Sequence, residues 1–324
     1  MQRRCFITSE LRPYVMGTKV TRKTSPIYNE ENFIKKEHVS PAITIIASEE
    51  DGTASYFKKF VQQNGYSVDL MCVEDPSFID KFTWSTQVDS YQGNYPGIYF
   101  RGVASEDAML NEILAVLDDV LTFYPGVVIN RPSRLSLNSS KPLQMSAIAE
   151  SSSMKVKSIP TFLSNVLTNI RTSHLDDTIV KSISSVRSEV VTLSDKRLLC
   201  GEDFLSCPIQ MQPKVNGVCI RAHVCGEAVY AVCIDGDGVD YRYGEKLSLT
   251  QVKLPQDVEL WCVQTARREG LEFAGIDFIY KETSDLYWCL EINPCPGYSF
   301  FEQHLVDSGG FPVISTWLLR ELLD

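Results

Sequence analysis

Between Pro41 and Gly126 the apolar residues follow two alternating rhythms. AITIIAS (42–48) is a mostly apolar stretch that reads as a buried strand, and TASYFKKFVQQNG (53–65) repeats apolar residues at helical spacing until Gly65 ends it. YSVDLMCVED (66–75) and GIYFRG (97–102) supply two more strands, and SEDAMLNEILAVLDDVLTFY (105–124) a long helix with an acidic first turn, closed by Pro125-Gly126. Strands that alternate with helices predict a small α/β domain over residues 41–125. No GxGxxG follows its first strand, so the pattern gives no support to a dinucleotide site. Residues 1–40 show no period and read as an N-terminal extension.

The middle of the chain, residues 126–205, is more broken. In VVINRPSRLSLNSSKPLQMSAIAE, Asn130-Arg131-Pro132 interrupts a strand, and Asn138-Ser139-Ser140 can cap a helix running towards Glu150. Lys141 falls in the first turn, where the helix dipole disfavours a cation; it is either exposed by default or recruited to an anion. SIPTFLSN (158–165) and TIVKSISS (178–185) follow, and Lys181 sits between apolar neighbours as a snorkelling edge residue or a phosphate contact. The polar, weakly periodic stretch 186–203 suits a loop or lid.

In the last third, residues 206–324, a connector (Gln210 to Val215) leads into a hairpin turning at Gly226-Glu227. That turn pairs Ile220 with Cys233, Ala222 with Ala231 and Val224 with Val229, and leaves Arg221 and His223 on the other face. DGDGVDYRYGEK (235–246) lacks the ligand spacing of a calcium loop, and Arg242 is its most interesting residue. A helix over 254–270 leads into AGIDFIY-KETSD-LYWCLEIN, the second hairpin. Centred on Ser284, it would set Ile276 opposite Ile292, Phe278 opposite Leu290 and Tyr280 opposite Trp288, an apolar face for a core. Its other face would bring Asp277 opposite Glu291, with Asn293 across from Gly275. Opposed carboxylates repel unless a cation lies between them, and hard oxygens on a rigid ladder suit Mg²⁺ carrying phosphates; a solvent-facing hairpin with two ordinary acids is the alternative. PCPGYSFFEQHL then reads as a tight turn, and FPVISTWLLRELL as a closing amphipathic helix.

Composition narrows the partners. The 324 residues carry a formal net charge of −10, so phosphate binding falls to local basic residues, and neither nucleic acid nor an anionic membrane is an expected partner. The N-terminus lacks the apolar core of a signal peptide and no run has transmembrane length, which points to the cytoplasm. Ten cysteines include no CxxC pair and read as reduced thiols.

Taken in order, a lysine before a helix, a lysine on a strand some forty residues on, a Q-x-x-V connector, a hairpin arginine and a D…E-x-N strand pair resemble the ATP-grasp carboxylate ligases, most closely the RimK-like group. The resemblance covers roughly residues 126–324, with residues 41–125 similar to the domain that precedes the fold. It implies an α/β (α+β) chain with an ATP-grasp fold, ATP held between two sheets, and Mg²⁺, with two ions expected. Lys141 and Lys181 would contact the phosphates, and the backbone of Gln212, Pro213, Lys214 and Val215 the adenine edge. Asp277, Glu291 and Asn293 would hold magnesium, with Glu291 bridging; Arg221 and Arg242 would face the γ-phosphate. Cys219 stands where the family often has an acidic residue, which leaves open which residue contacts the ribose.

Such chemistry turns a carboxylate into an acyl phosphate that an amine or alcohol attacks, with no enzyme nucleophile. His223 or Glu302 could assist deprotonation of the attacking group; a structural role is the alternative for each. INRPSRLSLNSSKPLQ, IPTFLSN and EINPCPGYSFFEQHLVDSGGFPVISTWL look similar to ligases that macrocyclise ribosomal precursor peptides, the microviridin or graspetide type. That implies a precursor with a leader segment as partner, docking near Val186–Asp203, and suggests a homodimer. The Pro-Cys-Pro-Gly-Tyr run after Asn293 departs from the type and also suits a RimK-like ligase of small amino acids or dipeptides. A nucleotide-binding module without catalysis is the third alternative.

Overall fold

The computed structural model describes residues 42–75, 96–103, 107–134, 140–166, 177–183, 190–194, 204–236 and 247–324. Arg242, the extension 1–40 and most of the stretch 186–203 lie outside the described residues.

The first sheet is wholly parallel. It contains β1 (Ile43–Ala47), β2 (Val68–Cys72), β3 (Gly97–Phe100) and β4 (Val128–Ile129) in the order β2-β1-β3-β4. Every residue of β1 is buried, because a parallel strand is covered on both faces; this is why its sequence shows no alternation. Helix α1 (Gly52–Gln63) begins where Asp51 accepts a hydrogen bond from Ala54 N at 2.9 Å. Helix α2 (Ala108–Phe123) begins where Asp107 accepts one from Leu110 N at 2.9 Å. Asp107, one of the acids expected in the first turn of α2, is thus its cap, and the helix runs from Ala108.

Ser140 caps helix α3 (Lys141–Ser151), its hydroxyl accepting from Leu143 N at 3.3 Å. The strand β5 (Val156–Ser158) follows. A second sheet, antiparallel, takes β6 (Phe162–Val166), β7 (Thr178–Lys181), β8 (Val190–Thr192) and β9 (Phe204–Pro213) in the order β6-β9-β7-β8. The third sheet is built from β10 (Val218–Cys225), β11 (Ala228–Gly236), β12 (Leu247–Val252), β13 (Phe273–Lys281) and β14 (Leu286–Asn293), with β5 alongside β14. Its order is β12-β11-β10-β13-β14-β5. Helices α4 (Gln256–Arg268), α5 (Ser299–Asp307) and α6 (Val313–Leu323) complete the chain.

One face of the third sheet is the main core. Ile220, Ala222, Ile276, Phe278, Cys289 and Ile292 pack there with Ile148 of α3 and Val258, Trp261 and Cys262 of α4. Helix α6 instead packs on the first sheet, where Ile314, Leu318 and Leu322 join Ile43, Ile45, Phe57 and Tyr99. The backbone of Leu322 runs so close to Gly97 that a Cβ at that position would overlap it.

The first hairpin has the pairing read from its sequence, Ile220 with Cys233, Ala222 with Ala231 and Val224 with Val229. The second departs from it. Gly275 pairs with Asn293, Ile276 with Ile292 and Asp277 with Glu291, but the register then slips at a β-bulge and Phe278 pairs with Cys289, Ile279 with Trp288 and Tyr280 with Tyr287. Leu290 is the extra residue. Strict alternation put it in the core with Trp288; the bulge turns Leu290 onto the opposite face and gives its core place to the smaller Cys289. The chain after Asn293 also differs from the expected tight turn, because only residues 294–298 turn before α5 begins at Ser299.

Candidate functional site

Strand β10 lies between β11 and β13, so residues far apart in sequence form rows across the third sheet. In one row Arg221 pairs with Asp277 and Asp277 with Glu291, all on the face away from the main core. Arg221 Nε forms an ion pair with Asp277 Oδ1 at 2.8 Å, and the two side chains are only 9% and 11% exposed. A shielded ion pair of this geometry fixes both partners. The neighbouring row is His223, Gly275 and Asn293. Gly275 has a steric reason: a Cβ there would stand 2.5 Å from Arg221 Nη1 and 2.7 Å from Pro296 Cβ.

This face of the third sheet looks across a cleft of about 230 Å³ at the second sheet. Lys181, Gln212, Pro213, Lys214, Val215, Arg221, Asp277 and Glu291 all line it. Apolar walls come from Ile159, Ile179, Ile234 and Leu290, the last delivered by the bulge, and Cys219 lines it where an acidic residue would otherwise be sought. The connector is bolted in place. Gln212 Nε2 donates to Thr161 Oγ1 at 3.0 Å and to Met145 Sδ at 3.2 Å, and Lys214 N donates to Asp177 O at 2.6 Å. Two residues lie off the lining. Lys141 Nζ donates to Ser182 O at 2.9 Å, one residue beyond Lys181, and Asn293 Oδ1 accepts from Cys295 N at 2.9 Å.

No group of three or more His, Cys, Asp or Glu gathers among the described residues. The donor set here is two carboxylates in register and an amide oxygen at the next row. Hard oxygens in such small number fit a Mg²⁺ ion that keeps waters and takes phosphate oxygens for its remaining positions, and do not fit a cation needing a full protein cage. Asp277 shares its carboxylate with Arg221, so cation and guanidinium would meet on one acid.

Polar anchors that the sequence did not disclose hold the end of β14. Gln144 Nε2 of α3 donates to Ile292 O at 2.6 Å. Asn130, just after β4, donates from Nδ2 to Pro294 O at 2.6 Å and Phe273 O at 2.5 Å, and its Oδ1 accepts from Phe273 N at 3.2 Å. Both side chains are buried, and their bonds hold main-chain atoms at the start of β13 and the end of β14, the two strands that carry Asp277 and Glu291.

Of the two groups weighed for proton transfer, neither is presented to the cleft. Glu302 is fully buried and caps α6, accepting from Ile314 N at 2.7 Å, Ser315 N at 3.0 Å and the Ser315 hydroxyl; burial raises its pKa. His223 is buried with its ring edge-on to Phe301, 5.4 Å between centroids. Burial first, and the Arg221 charge second, depress its pKa to about 3, so the ring is neutral. Because the unfolded chain binds this proton near pH 6.5 and the folded one near 3, stability is present above pH 6.5 and declines as pH falls through that window, by up to about 1.4 kcal/mol per pH unit. Urea midpoints measured across it are expected to fall less steeply for His223→Phe, which keeps the ring packing and cannot titrate.

No family model and no curated protein matches the chain. Solved structures do. The ATP-grasp ligase PsnB complexed with a minimal precursor superposes with a TM-score of 0.69 at 19% identity, over 88% of this chain and 99% of that one. A RiPP-associated ATP-grasp ligase of Chryseobacterium gregarium, in complex with ADP and a leader and core peptide, gives 0.65 at 19% over 86% and 96%. The macrocyclase MdnC of Microcystis aeruginosa, bound with precursor peptide MdnA, gives 0.64 at 17% over 87% and 99%. The fold of this chain is the ATP-grasp fold, preceded by a parallel α/β sheet.

Proposed function

We propose that this protein is an ATP-dependent carboxylate ligase that joins side-chain carboxylates of a ribosomal precursor peptide to hydroxyl or amine groups of the same peptide. The observation that carries the reading is the row Arg221–Asp277–Glu291 facing Lys181 and the connector across one cleft. The solved relatives named above, which hold nucleotide or precursor peptides, support the substrate class.

In this reading the main chain of Gln212 to Val215 meets the base, and Ile179 and Leu290 pack against it. Lys181 and Lys141 neutralise phosphate oxygens. Asp277, Glu291 and Asn293 hold Mg²⁺, which when bound shields the negative charge on ATP and on the phosphoryl group in transfer. Arg221, with Arg242 as a second cation, faces the γ-phosphate. A substrate carboxylate oxygen attacks the γ-phosphorus and ADP leaves; a hydroxyl or amine then attacks the acyl carbon, phosphate leaves, and the proton of the attacking group passes to the departing phosphate or to solvent. The enzyme forms no covalent bond, so its residues act by placement and charge. Among the described residues no helix is long and apolar enough to cross a membrane.

Intact-mass measurement tests the proposal. With ATP, Mg²⁺ and its cognate precursor, a short Thr/Ser/Asp/Glu-rich peptide, the protein is expected to release ADP and shorten the peptide mass by one water per bond. An unchanged peptide mass would refute the peptide reading. Turnover with free amino acids alone would establish a small-molecule ligase instead, and nucleotide binding without ADP release a non-catalytic module.

A further inference from the structure

Arg101 follows β3 in the first sheet and has no part in the chemistry above. Its side chain is only 7% exposed and reaches in two directions. Nε donates to Asp51 Oδ2 at 2.9 Å, while Nη1 donates to the Pro296 carbonyl at 2.8 Å and the Tyr99 hydroxyl at 3.3 Å. Asp51 is itself fixed as the cap of α1 through its other oxygen. The Arg101 carbonyl accepts from Cys295 Sγ at 2.6 Å, so two consecutive residues of the turn after Asn293 are tied to this one arginine. Nearby, Thr53 Oγ1 and Ser299 Oγ lie 3.1 Å apart across the same junction.

Pro296 passes that constraint to the cleft face. The space over Gly275, where a Cβ would fall 2.7 Å from Pro296 Cβ and 2.5 Å from Arg221 Nη1, is shared by the proline ring and the guanidinium. Arg221 is closed on its other sides by Asp277 at 2.8 Å and by the Phe301 ring, 5.7 Å from Cζ to centroid. The proline ring and the guanidinium thus border the same small space over Gly275, and the buried Asp51–Arg101 pair holds that ring by its carbonyl.

We infer that the Asp51–Arg101 pair is a positioning device for Arg221, acting through Pro296 seated against Gly275. The inference rests on the ligase reading for the reaction that Arg221 serves. Its physical basis is the guanidinium fork: one planar group binds the carboxylate and the carbonyl at once, whereas an ammonium at that depth keeps the charge and loses one of the two.

The test is a double-variant cycle on the full chain. Arg101→Lys is expected to lower kcat for precursor-dependent ADP release about tenfold or more, because a displacement of about 1 Å at a reacting centre is costly. The KM for ATP should stay within roughly twofold, the signature of an interaction needed for the chemical step rather than for nucleotide binding. Gly275→Ala, which crowds the same space from the other side, should show the same split, and the double variant should lose no more than the worse single one. Hydrogen exchange of residues 218–225 gives a readout independent of turnover, and should quicken in Arg101→Lys. Additive losses in kcat, or unchanged exchange over 218–225, would overturn the inference. A wild-type protein that releases no ADP would refute the ligase reading instead, and the exchange measurement would still decide the positioning role. Should Arg101→Lys fail to fold, Asp51→Asn, which keeps an oxygen for the α1 cap, is read in the same two ways.

Discussion

Glu291→Gln is expected to reduce precursor-dependent ADP release by at least about 10²-fold while leaving the melting temperature close to that of the native protein. The substitution keeps the shape of the side chain and removes its charge. Glu291 lines the cleft, paired with Asp277 across the ladder, and in the proposed metal role a neutral amide would hold Mg²⁺ less well than a carboxylate. Stability should hold because the core face of the same strand, Tyr287, Cys289 and Ile292, is untouched. Relief of repulsion between two opposed acids can even raise stability when magnesium is absent. ADP release by a coupled assay and melting by circular dichroism read the two halves separately. Unchanged turnover would remove Glu291 from the metal set, and a collapsed melting temperature would make it a structural residue.

Much of this arrangement is legible in the sequence because the relevant signals are local. The helix-strand rhythm of residues 42–124 gives a parallel sheet, the turn at Gly226-Glu227 fixes which residues share a face, and the turn around Ser284 does so only for Ile276 with Ile292 and Asp277 with Glu291. The bulge at Leu290 is not legible, since one extra residue reverses parity without disturbing an apolar run in which Trp288, Cys289 and Leu290 are all apolar. Nor is the Arg221–Asp277 pair, which needs β10 to neighbour β13 although α4 and two strands intervene. The anchors at the end of β14 are the extreme case. Asn130 grips Phe273, Gln144 grips Ile292 and Arg101 grips Pro296 over separations of 143, 148 and 195 residues, and each acceptor is a main-chain carbonyl that no side-chain motif marks. A polar residue in a turn or helix announces only that it wants a partner.

Arg221 separates charge balance from chemistry. Arg221→Lys retains a cation beside Asp277 and loses the planar fork, so turnover is expected to fall by about 10²-fold or more with a smaller change in the KM for ATP. Arg221→Met goes further and leaves the Asp277 carboxylate, 11% exposed, without the guanidinium that now lies 2.8 Å away. Removing one partner of such a shielded pair costs about 3–5 kcal/mol when nothing replaces it. Something can replace it if Asp277 also serves a metal. Added Mg²⁺ with ADP should then raise the melting temperature of Arg221→Met by more than it raises that of the native protein, because the ion both binds and relieves an uncompensated acid, and linkage turns that differential affinity into stability. An equal Mg²⁺ shift in the two proteins would mean that Asp277 answers to Arg221 alone, and would leave Glu291 and Asn293 to hold the ion without it. A larger shift in the variant, together with lost turnover, would give Asp277 a shared place between guanidinium and metal, with the guanidinium needed for the chemical step and the ion for charge.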